Sequence, residues 1–160
     1  MKKVLYIIPG LRESCSSKPY QLLANTAGEK GYEVVCKNVD WGKPLSLQVF
    51  AVPRKAVLFG FSLGAILAWL VAQKYPCRHL ILGSMTPHYN FTDSKMKKAL
   101  ADLTGKKFIG DVTKNLKSTH RAKKQTVMYG DGEKEGADVL VPKTGHRLNS
   151  NYIKEIMKIL

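Results

Sequence analysis

The stretch that decides the fold runs from Val57 to Tyr75 and reads VLFGFSLGAILAWLVAQKY. It begins with a short apolar run, typical of a strand that is buried on both faces. It ends with a segment that has almost no polar side chains, which predicts a buried helix. A buried strand that turns at once into a buried helix favours the α/β class, and the turn falls at Ser62.

The five residues at this turn, Gly60-Phe61-Ser62-Leu63-Gly64, fit the pattern G-x-S-x-G. The pattern has chemical meaning between a strand and a helix, which is where it stands here. Larger side chains in place of the two glycines would collide with the strand or the helix, so the turn is tight and strained. Such a turn pushes the Ser62 hydroxyl outward, which predicts a nucleophile; a serine in a merely structural turn is the simpler alternative.

The rest of the chain continues the alternation of strands and helices. Strands are predicted over Lys2–Ile8, Tyr32–Asp40, Lys55–Phe59, His79–Leu82, Thr126–Tyr129 and Asp138–Val141. Helices are predicted after Ser16 or Ser17, within Leu45–Val52, over Leu63–Lys74 and Ser94–Leu103, and after Asn149 or Ser150. The pattern between Thr104 and Lys124 is weak. We expect a single domain, a three-layer α/β sandwich with a mainly parallel six-stranded sheet and helices on both faces.

The chain is strongly basic, with 26 Lys and Arg against 12 Asp and Glu among 160 residues and a formal net charge of +14. Much of the excess lies in the segment 92–125, which favours contact with anionic surfaces or substrates. The simpler interpretation of this segment is a solvated basic face. It carries no aromatic RNA-binding motif, zinc finger or clear helix-turn-helix, so no specific nucleic acid partner is expected.

Two features bear on the surroundings of the protein. The chain has no uninterrupted apolar run of roughly 18 residues and no signal-peptide pattern, so we expect a cytoplasmic protein with no membrane insertion. The three cysteines, Cys15, Cys36 and Cys77, have no metal-binding spacing, and their odd number does not fit a complete disulfide framework. They are therefore predicted to be free thiols.

A serine nucleophile needs a base that takes its proton, and histidine is the usual one. Of the four histidines, His146 is the strongest candidate, because it falls between the last predicted strand and the last helix, at the carboxyl edge of the sheet. His88, which follows the fourth predicted strand, is a weaker candidate. His79 is predicted to pack at the start of a strand, and His120 to be a solvated residue among lysines.

The histidine in turn needs a carboxylate, which holds its tautomer and stabilises the imidazolium. The acidic residues after the fifth predicted strand, in the stretch MYGDGEKEGAD, are the candidates for this role. The residues alone do not separate the four of them: Asp131, Glu133, Glu135 and Asp138.

In its order of elements the chain resembles the α/β-hydrolase superfamily, over essentially its whole length. The resemblance rests on the strand, the G-x-S-x-G elbow, the helix, an acid after a later strand, and the Gly-His pair before the last helix. It implies a reduced fold without a large lid. Two strands that usually precede the core are missing, so Lys2–Ile8 corresponds to the family's third strand.

The resemblance also implies roles for the polar residues. Ser62 is the nucleophile, His146 the base, and the spacing after Gly130 assigns the acid to Glu133, with Asp131 as the alternative. Neither a metal ion nor an organic cofactor is implied.

The loop after the first strand, YIIPGLRES, resembles the family's oxyanion loop, with Pro9-Gly10 in place of the usual His-Gly pair. The backbone amides of Leu11 and Leu63 would then stabilise the negative oxygen of the tetrahedral intermediate. Phe61 and Met85 flank strand ends and are expected to line the substrate pocket.

The activity implied by the resemblance is that of a serine hydrolase, which cleaves carboxylic esters through an acyl-enzyme intermediate. An open, poorly roofed site favours short esters, with thioesters and small amides as further substrates. The expected partner is a small-molecule ester, anionic if the basic segment attracts it. The alternative, from another class, is a non-catalytic protein of the same fold that holds an anionic partner through the segment 92–125.

Overall fold

The computed structural model describes residues 3–85, 94–133 and 136–160. The strands in these ranges are β1 (Lys3–Ile8), β2 (Tyr32–Cys36), β3 (Val57–Phe61), β4 (His79–Gly83), β5 (Lys124–Gly130) and β6 (Val139–Val141). The helices are α1 (Lys18–Glu29), α2 (Gly64–Lys74), α3 (Ser94–Thr104), α4 (Lys106–Asn115) and α5 (Ser150–Ile159), with a 3₁₀ turn at Leu45–Gln48. None of the described helices has both the length and the apolar character needed to cross a membrane.

The strands form one six-stranded sheet in the order β2-β1-β3-β4-β5-β6, and every neighbouring pair is parallel. The predicted α/β fold class is therefore confirmed. The strand order reverses beside β1, because the chain goes from β1 to β2 on one side and then returns to β3 on the other. Such a reversal leaves a crevice between the carboxyl ends of β1 and β3, and ligands of open α/β sheets bind in such a crevice.

The core lies in two layers, one on each face of the sheet. Helices α2 and α4 cover one layer, in which Trp69 and Phe108 are buried. Helices α1 and α5 cover the other, in which Tyr20 and Tyr152 are buried. Every residue of β3 is buried, and so is every residue of α2 from Gly64 to Ala72. The opening stretch thus forms the centre of the fold, as its lack of polar side chains predicts.

Helix α4 is an element that the sequence pattern did not predict. Its buried side chains, Phe108, Ile109 and Val112, stand among lysines and beside Gly110, so its helical signal is weak. These three side chains pack into the core layer beneath α2. Tertiary packing therefore stabilises a helix whose own sequence does not favour one strongly.

Cys15 and Cys36 form a disulfide, which corrects the prediction that all three cysteines are free thiols. The two residues are 21 positions apart, but β1 pairs with β2, so the loop after β1 lies beside the end of β2. Their Cα atoms are 5.8 Å apart. Cys77 is a buried free thiol, and burial raises its pKa to about 11. The disulfide fastens the loop after β1 to the edge strand of the sheet.

The buried imidazole of His79 makes the stability of the fold dependent on pH. Its Nε2 atom lies 2.8 Å from Thr126 Oγ1. Burial, together with the charges of Lys124 and Arg78, lowers the pKa of His79 from 6.5 to about 4. The unfolded chain thus binds this proton at a higher pH than the folded protein does. We expect this residue to lower the free energy of unfolding by about 2–3 kcal/mol as the pH falls from 6.5 to 4.

Urea unfolding followed by circular dichroism across this pH range measures the effect. The control is His79→Gln, which keeps a polar side chain beside Thr126 and removes the titration. If the variant loses stability as steeply as the parent protein, His79 is not the group responsible.

Candidate active site

Ser62 lies at the sharp turn between β3 and α2, in the left-handed region of backbone conformation with φ +52°. Its amide donates a hydrogen bond of 2.7 Å to the carbonyl oxygen of Gly83 at the end of β4. A residue other than glycine rarely adopts this conformation, and it persists only where the surrounding structure holds it. The burial of β3 and α2 on either side supplies that constraint.

The glycines on either side of Ser62 leave no room for a side chain. A Cβ atom on Gly60 would lie 2.6 Å from Ala65 Cα, and one on Gly64 would lie 2.2 Å from the Pro9 carbonyl oxygen. Both neighbours are backbone atoms, which cannot move aside without shifting a strand or a helix. The collision expected from the sequence is therefore present on both sides of the turn.

Three of the predicted site residues form a continuous hydrogen-bonded chain at the carboxyl edge of the sheet. His146 lies in the loop between β6 and α5, and its Nε2 atom is 2.9 Å from Ser62 Oγ. Its Nδ1 atom is hydrogen-bonded to Glu133 Oε1. The His146 side chain is 55% exposed, whereas that of Glu133 is 12% exposed. In this series of hydrogen-bonded side chains, His146 is thus open to solvent on the side of Ser62, whereas the Glu133 carboxylate is sheltered.

The Glu133 carboxylate is held from its other oxygen. Glu133 Oε2 accepts a hydrogen bond of 2.7 Å from Ser84 Oγ and one of 2.6 Å from the Gly130 amide. Ser84 is buried directly after β4, with φ +55°, and Tyr152 Oη lies 3.3 Å from its hydroxyl. These contacts leave Oε1 turned toward His146. Sequence reasoning missed Ser84, whose available signal is a serine directly after a buried strand at the functional edge.

Asp131, the alternative acid, holds the loop that carries His146 and does not contact the imidazole ring. Its Oδ1 atom accepts hydrogen bonds from the amides of Thr144, at 2.8 Å, and Gly145, at 2.9 Å. The bonds from Gly145 and then Thr144 hold the pKa of Asp131 below its ordinary value. The structure therefore gives the two acids separate positions, with Glu133 at the histidine and Asp131 at the preceding residues of the loop.

The other predicted candidates that the structure describes do not join this series of hydrogen-bonded groups. The Asp138 carboxylate accepts a hydrogen bond of 2.7 Å from the Val127 amide, so it is tied to β5. His120 is half-buried with its ring edge-on to Trp69, rather than solvated as predicted. His79 is buried at the start of β4, as predicted. Two candidates lie outside the described residues, His88 and Glu135.

The loop after β1 is fixed by a small polar network that the sequence did not reveal. The Gly10 amide lies 3.1 Å from Tyr20 Oη and 3.0 Å from Glu13 Oε2, and Tyr20 Oη also donates to Glu13. Burial and the Glu13 carboxylate raise the pKa of Tyr20, so its hydroxyl stays protonated. By contrast, the amides of Leu11 and Leu63 donate no hydrogen bond to any residue that the structure describes.

The two predicted pocket residues differ in their surroundings. Phe61 is only 2% exposed, and its ring centroid lies 5.5 Å from that of His146 and 5.4 Å from that of Tyr152. Its side chain is therefore packed beside the imidazole, and its expected role in lining the pocket stays a prediction. Met85 is half-buried against the core layer beneath α2.

The groups assembled at this edge can carry out nucleophilic chemistry. An imidazole can take the proton of the Ser62 hydroxyl, and a carboxylate can stabilise the charge that the imidazole then gains. In the part of the chain that the structure describes, no group of three or more His, Cys, Asp or Glu side chains is placed to hold a metal ion.

Comparison with solved structures identifies the fold. The chain is similar to MGS-MChE2, an α/β hydrolase enzyme from a lagoon-sediment metagenome, with 16% identity, TM-score 0.64, and 99% of this chain and 89% of that chain covered. It is also similar to Est1E from Butyrivibrio proteoclasticus, with 12% identity, TM-score 0.67, and 99% of this chain and 85% of that chain covered. The ydeN gene product of B. subtilis is similar with 16% identity, TM-score 0.62, and 98% of this chain and 97% of that chain covered. No protein-family description and no curated protein matches the chain by sequence. The chain therefore has the α/β-hydrolase fold, in a reduced form.

The close approach at the Ser62 turn predicts a large effect of adding one methyl group. We expect Gly64→Ala to lower the free energy of unfolding by about 3 kcal/mol or more, because its Cβ would meet backbone atoms. Gly28→Ala is the matched control: it lies within α1 and a Cβ there meets nothing within 4 Å. We expect it to raise stability by about 0.5–1 kcal/mol. Urea unfolding of both variants measures the difference, and equal stabilities would contradict the packing described at the turn.

Proposed function

We propose that the protein is a serine hydrolase that cleaves carboxylic esters through an acyl-enzyme intermediate. The observation that carries the proposal is the hydrogen-bonded chain from Ser62 through His146 to Glu133 at the carboxyl edge of the sheet. The left-handed conformation of Ser62 and the α/β-hydrolase fold of the chain support it. Each of these features has a direct use in acyl transfer.

In the proposed mechanism, Ser62 Oγ attacks the ester carbonyl carbon while His146 Nε2 takes the hydroxyl proton. The amides of Leu11 and Leu63 stabilise the oxyanion of the tetrahedral intermediate. As the intermediate collapses, the imidazolium returns the proton to the leaving alcohol, and the acyl group stays on Ser62. His146 Nε2 then takes a proton from a water molecule while the water oxygen attacks the acyl-enzyme, and the imidazolium returns that proton to Ser62 Oγ as the carboxylic acid leaves. Glu133 stabilises the imidazolium in both halves of the reaction.

The substrate class follows from how open the site is. More than half of the His146 side chain is exposed, so we propose short or exposed esters, with thioesters and small amides as further substrates. The net charge of +14 favours anionic esters at low ionic strength. We propose the cytoplasm as the location, from the absence of a signal-peptide pattern in the sequence. The Cys15–Cys36 disulfide is the feature that favours an oxidising compartment instead.

The alternative is a non-catalytic protein of the same fold that binds an anionic partner through its basic segment. The geometry of Ser84 favours the enzyme, because its buried hydroxyl holds the Glu133 carboxylate turned toward His146. A protein that only binds a partner would have no use for this arrangement.

A serine-directed covalent probe distinguishes the two functions. We expect a fluorophosphonate to label the protein at Ser62 and nowhere else, because a hydroxyl activated by His146 attacks phosphorus readily. Mass spectrometry of the digested protein locates the adduct, and Ser62→Ala is the control that removes the reactive oxygen. Folded protein that gains no adduct at Ser62 would rule out the enzyme.

The roles of the two acids predict unequal effects of matched substitutions. Glu133→Gln replaces the carboxylate beside His146 with a neutral amide, so we expect kcat on p-nitrophenyl butyrate to fall about 10³–10⁴-fold. Asp131→Asn removes the charge that holds the amides of Thr144 and Gly145, so we expect a loss of about tenfold or less. If Asp131→Asn causes the larger loss, Asp131 is the functional acid and the assignment of Glu133 is wrong.

A further inference from the structure

Helices α3 and α4 enclose a groove that plays no part in the proposed reaction. Its volume is about 700 Å³, within the range of about 300–1,000 Å³ that is typical of small-molecule sites. The lining residues recur at every third or fourth position on each helix, so the two helices face each other across the groove. The lining residues on which the proposal depends most are Lys97, Lys98, Lys106, Ile109, Gly110 and Lys114.

The groove combines positive charge with an apolar floor. Four lysines line it against one carboxylate, that of Asp102, and the ammonium groups of Lys97 and Lys98 are carried on exposed residues. Between the two helices the floor is formed by Ala101, Ile109 and the backbone at Gly110. A complementary ligand has an apolar body and an anionic group.

Gly110 adds an independent observation. It lies within α4, where a glycine costs about 1 kcal/mol relative to alanine. A Cβ atom there would meet nothing within 4 Å, so no close packing requires a glycine, and its φ is not in the left-handed region. Gly110 is one of the residues that line the groove, so a larger side chain at this position would reduce the open space beside it.

The residues that line the groove favour some classes of ligand over others. None of the described residues that line it is aromatic, so these residues offer no surface on which the bases of single-stranded nucleic acids stack. A bilayer surface would lie across the outer faces of two helices rather than enter the depression between them. A single molecule with one alkyl chain and one anionic group matches both the apolar lining and the four lysines.

We propose that the groove between α3 and α4 binds a monomeric single-chain anionic amphiphile of the fatty-acid type. The alkyl chain lies along Ile109 and the open space at Gly110, and the carboxylate pairs with lysines of the rim. The inference rests on the groove's own residues and does not depend on the proposed esterase activity.

Isothermal titration calorimetry with decanoate, below its micelle concentration, tests the proposal. We expect one binding event per chain, and an affinity about tenfold higher for decanoate than for octanoate, because two more methylene groups are buried. Decyltrimethylammonium, which has the same chain and the opposite charge, should not bind. Equal affinity for the cation would overturn the proposal.

Substitutions locate the binding site. Gly110→Leu fills the groove, so we expect decanoate affinity to fall at least tenfold, with circular dichroism as the check on folding. Lys97→Gln combined with Lys98→Gln leaves the helix propensity almost unchanged and should also weaken binding several-fold. The matched control is Lys154→Gln, an exposed lysine of α5 on the opposite face of the sheet, which should leave binding unchanged. Unaltered affinity in the folded groove variants would overturn the proposal.

Two further measurements separate this site from the others. Protein whose Ser62 has reacted with a fluorophosphonate should bind decanoate as before, and loss of binding would instead place decanoate at the serine. If no adduct forms but decanoate binds, the esterase proposal fails and the groove stands. Sedimentation with phosphatidylglycerol vesicles, without binding of monomeric decanoate, would identify a membrane surface as the occupant and overturn the proposal.

Discussion

The close approach of Gly64 to the end of β1 is the contact on which the rest of the structure depends. A Cβ atom at Gly64 would lie 2.2 Å from the Pro9 carbonyl oxygen, so only glycine lets α2 begin directly against the loop after β1. This approach places Ser62 between two segments whose amides, at Leu11 and Leu63, donate no hydrogen bond to a residue of the described ranges. The buried apolar surface of β3 and α2 holds the strained turn in place. The contacts that form the core therefore also fix the geometry of the site.

The two acids after β5 divide the work of positioning His146. Glu133 contacts the imidazole, and its second oxygen is fixed by Ser84 and the Gly130 amide, so the carboxylate has little freedom to rotate. Asp131 binds the loop two residues and one residue before His146, which sets the path of the backbone. One acid thus orients the ring and the other orients the chain that carries it. A change at either reaches the Ser62 hydroxyl, but through different atoms.

The sequence predicts what local patterns determine, and it fails where distant segments meet. The alternation of six strands with helices, the turn at Ser62 and the loop that carries His146 follow from apolar runs and from a motif whose glycines have a steric reason. The choice between Glu133 and Asp131 depends on Ser84, which is 49 residues from Glu133 in the sequence. The Cys15–Cys36 bond depends on the pairing of β1 with β2, and α4 depends on packing beneath α2. From the residues alone the choice of acid stays open, and the disulfide and α4 are missed, because each depends on contacts between segments that are distant in the sequence.

The acidic residues of the chain are outnumbered, with 12 Asp and Glu against 26 Lys and Arg. Several of the few carboxylates are engaged in fixed hydrogen bonds to uncharged groups: Glu13 in the loop after β1, Asp111 at Ser46, Asp131 in the histidine loop and Asp138 at β5. Ion pairs between described residues join Lys43 to Asp40 and Lys158 to Glu155, each within one local segment. A carboxylate that accepts such hydrogen bonds keeps its charge, so the net charge of +14 is set by the excess of Lys and Arg. The resulting field attracts anions most strongly at low salt.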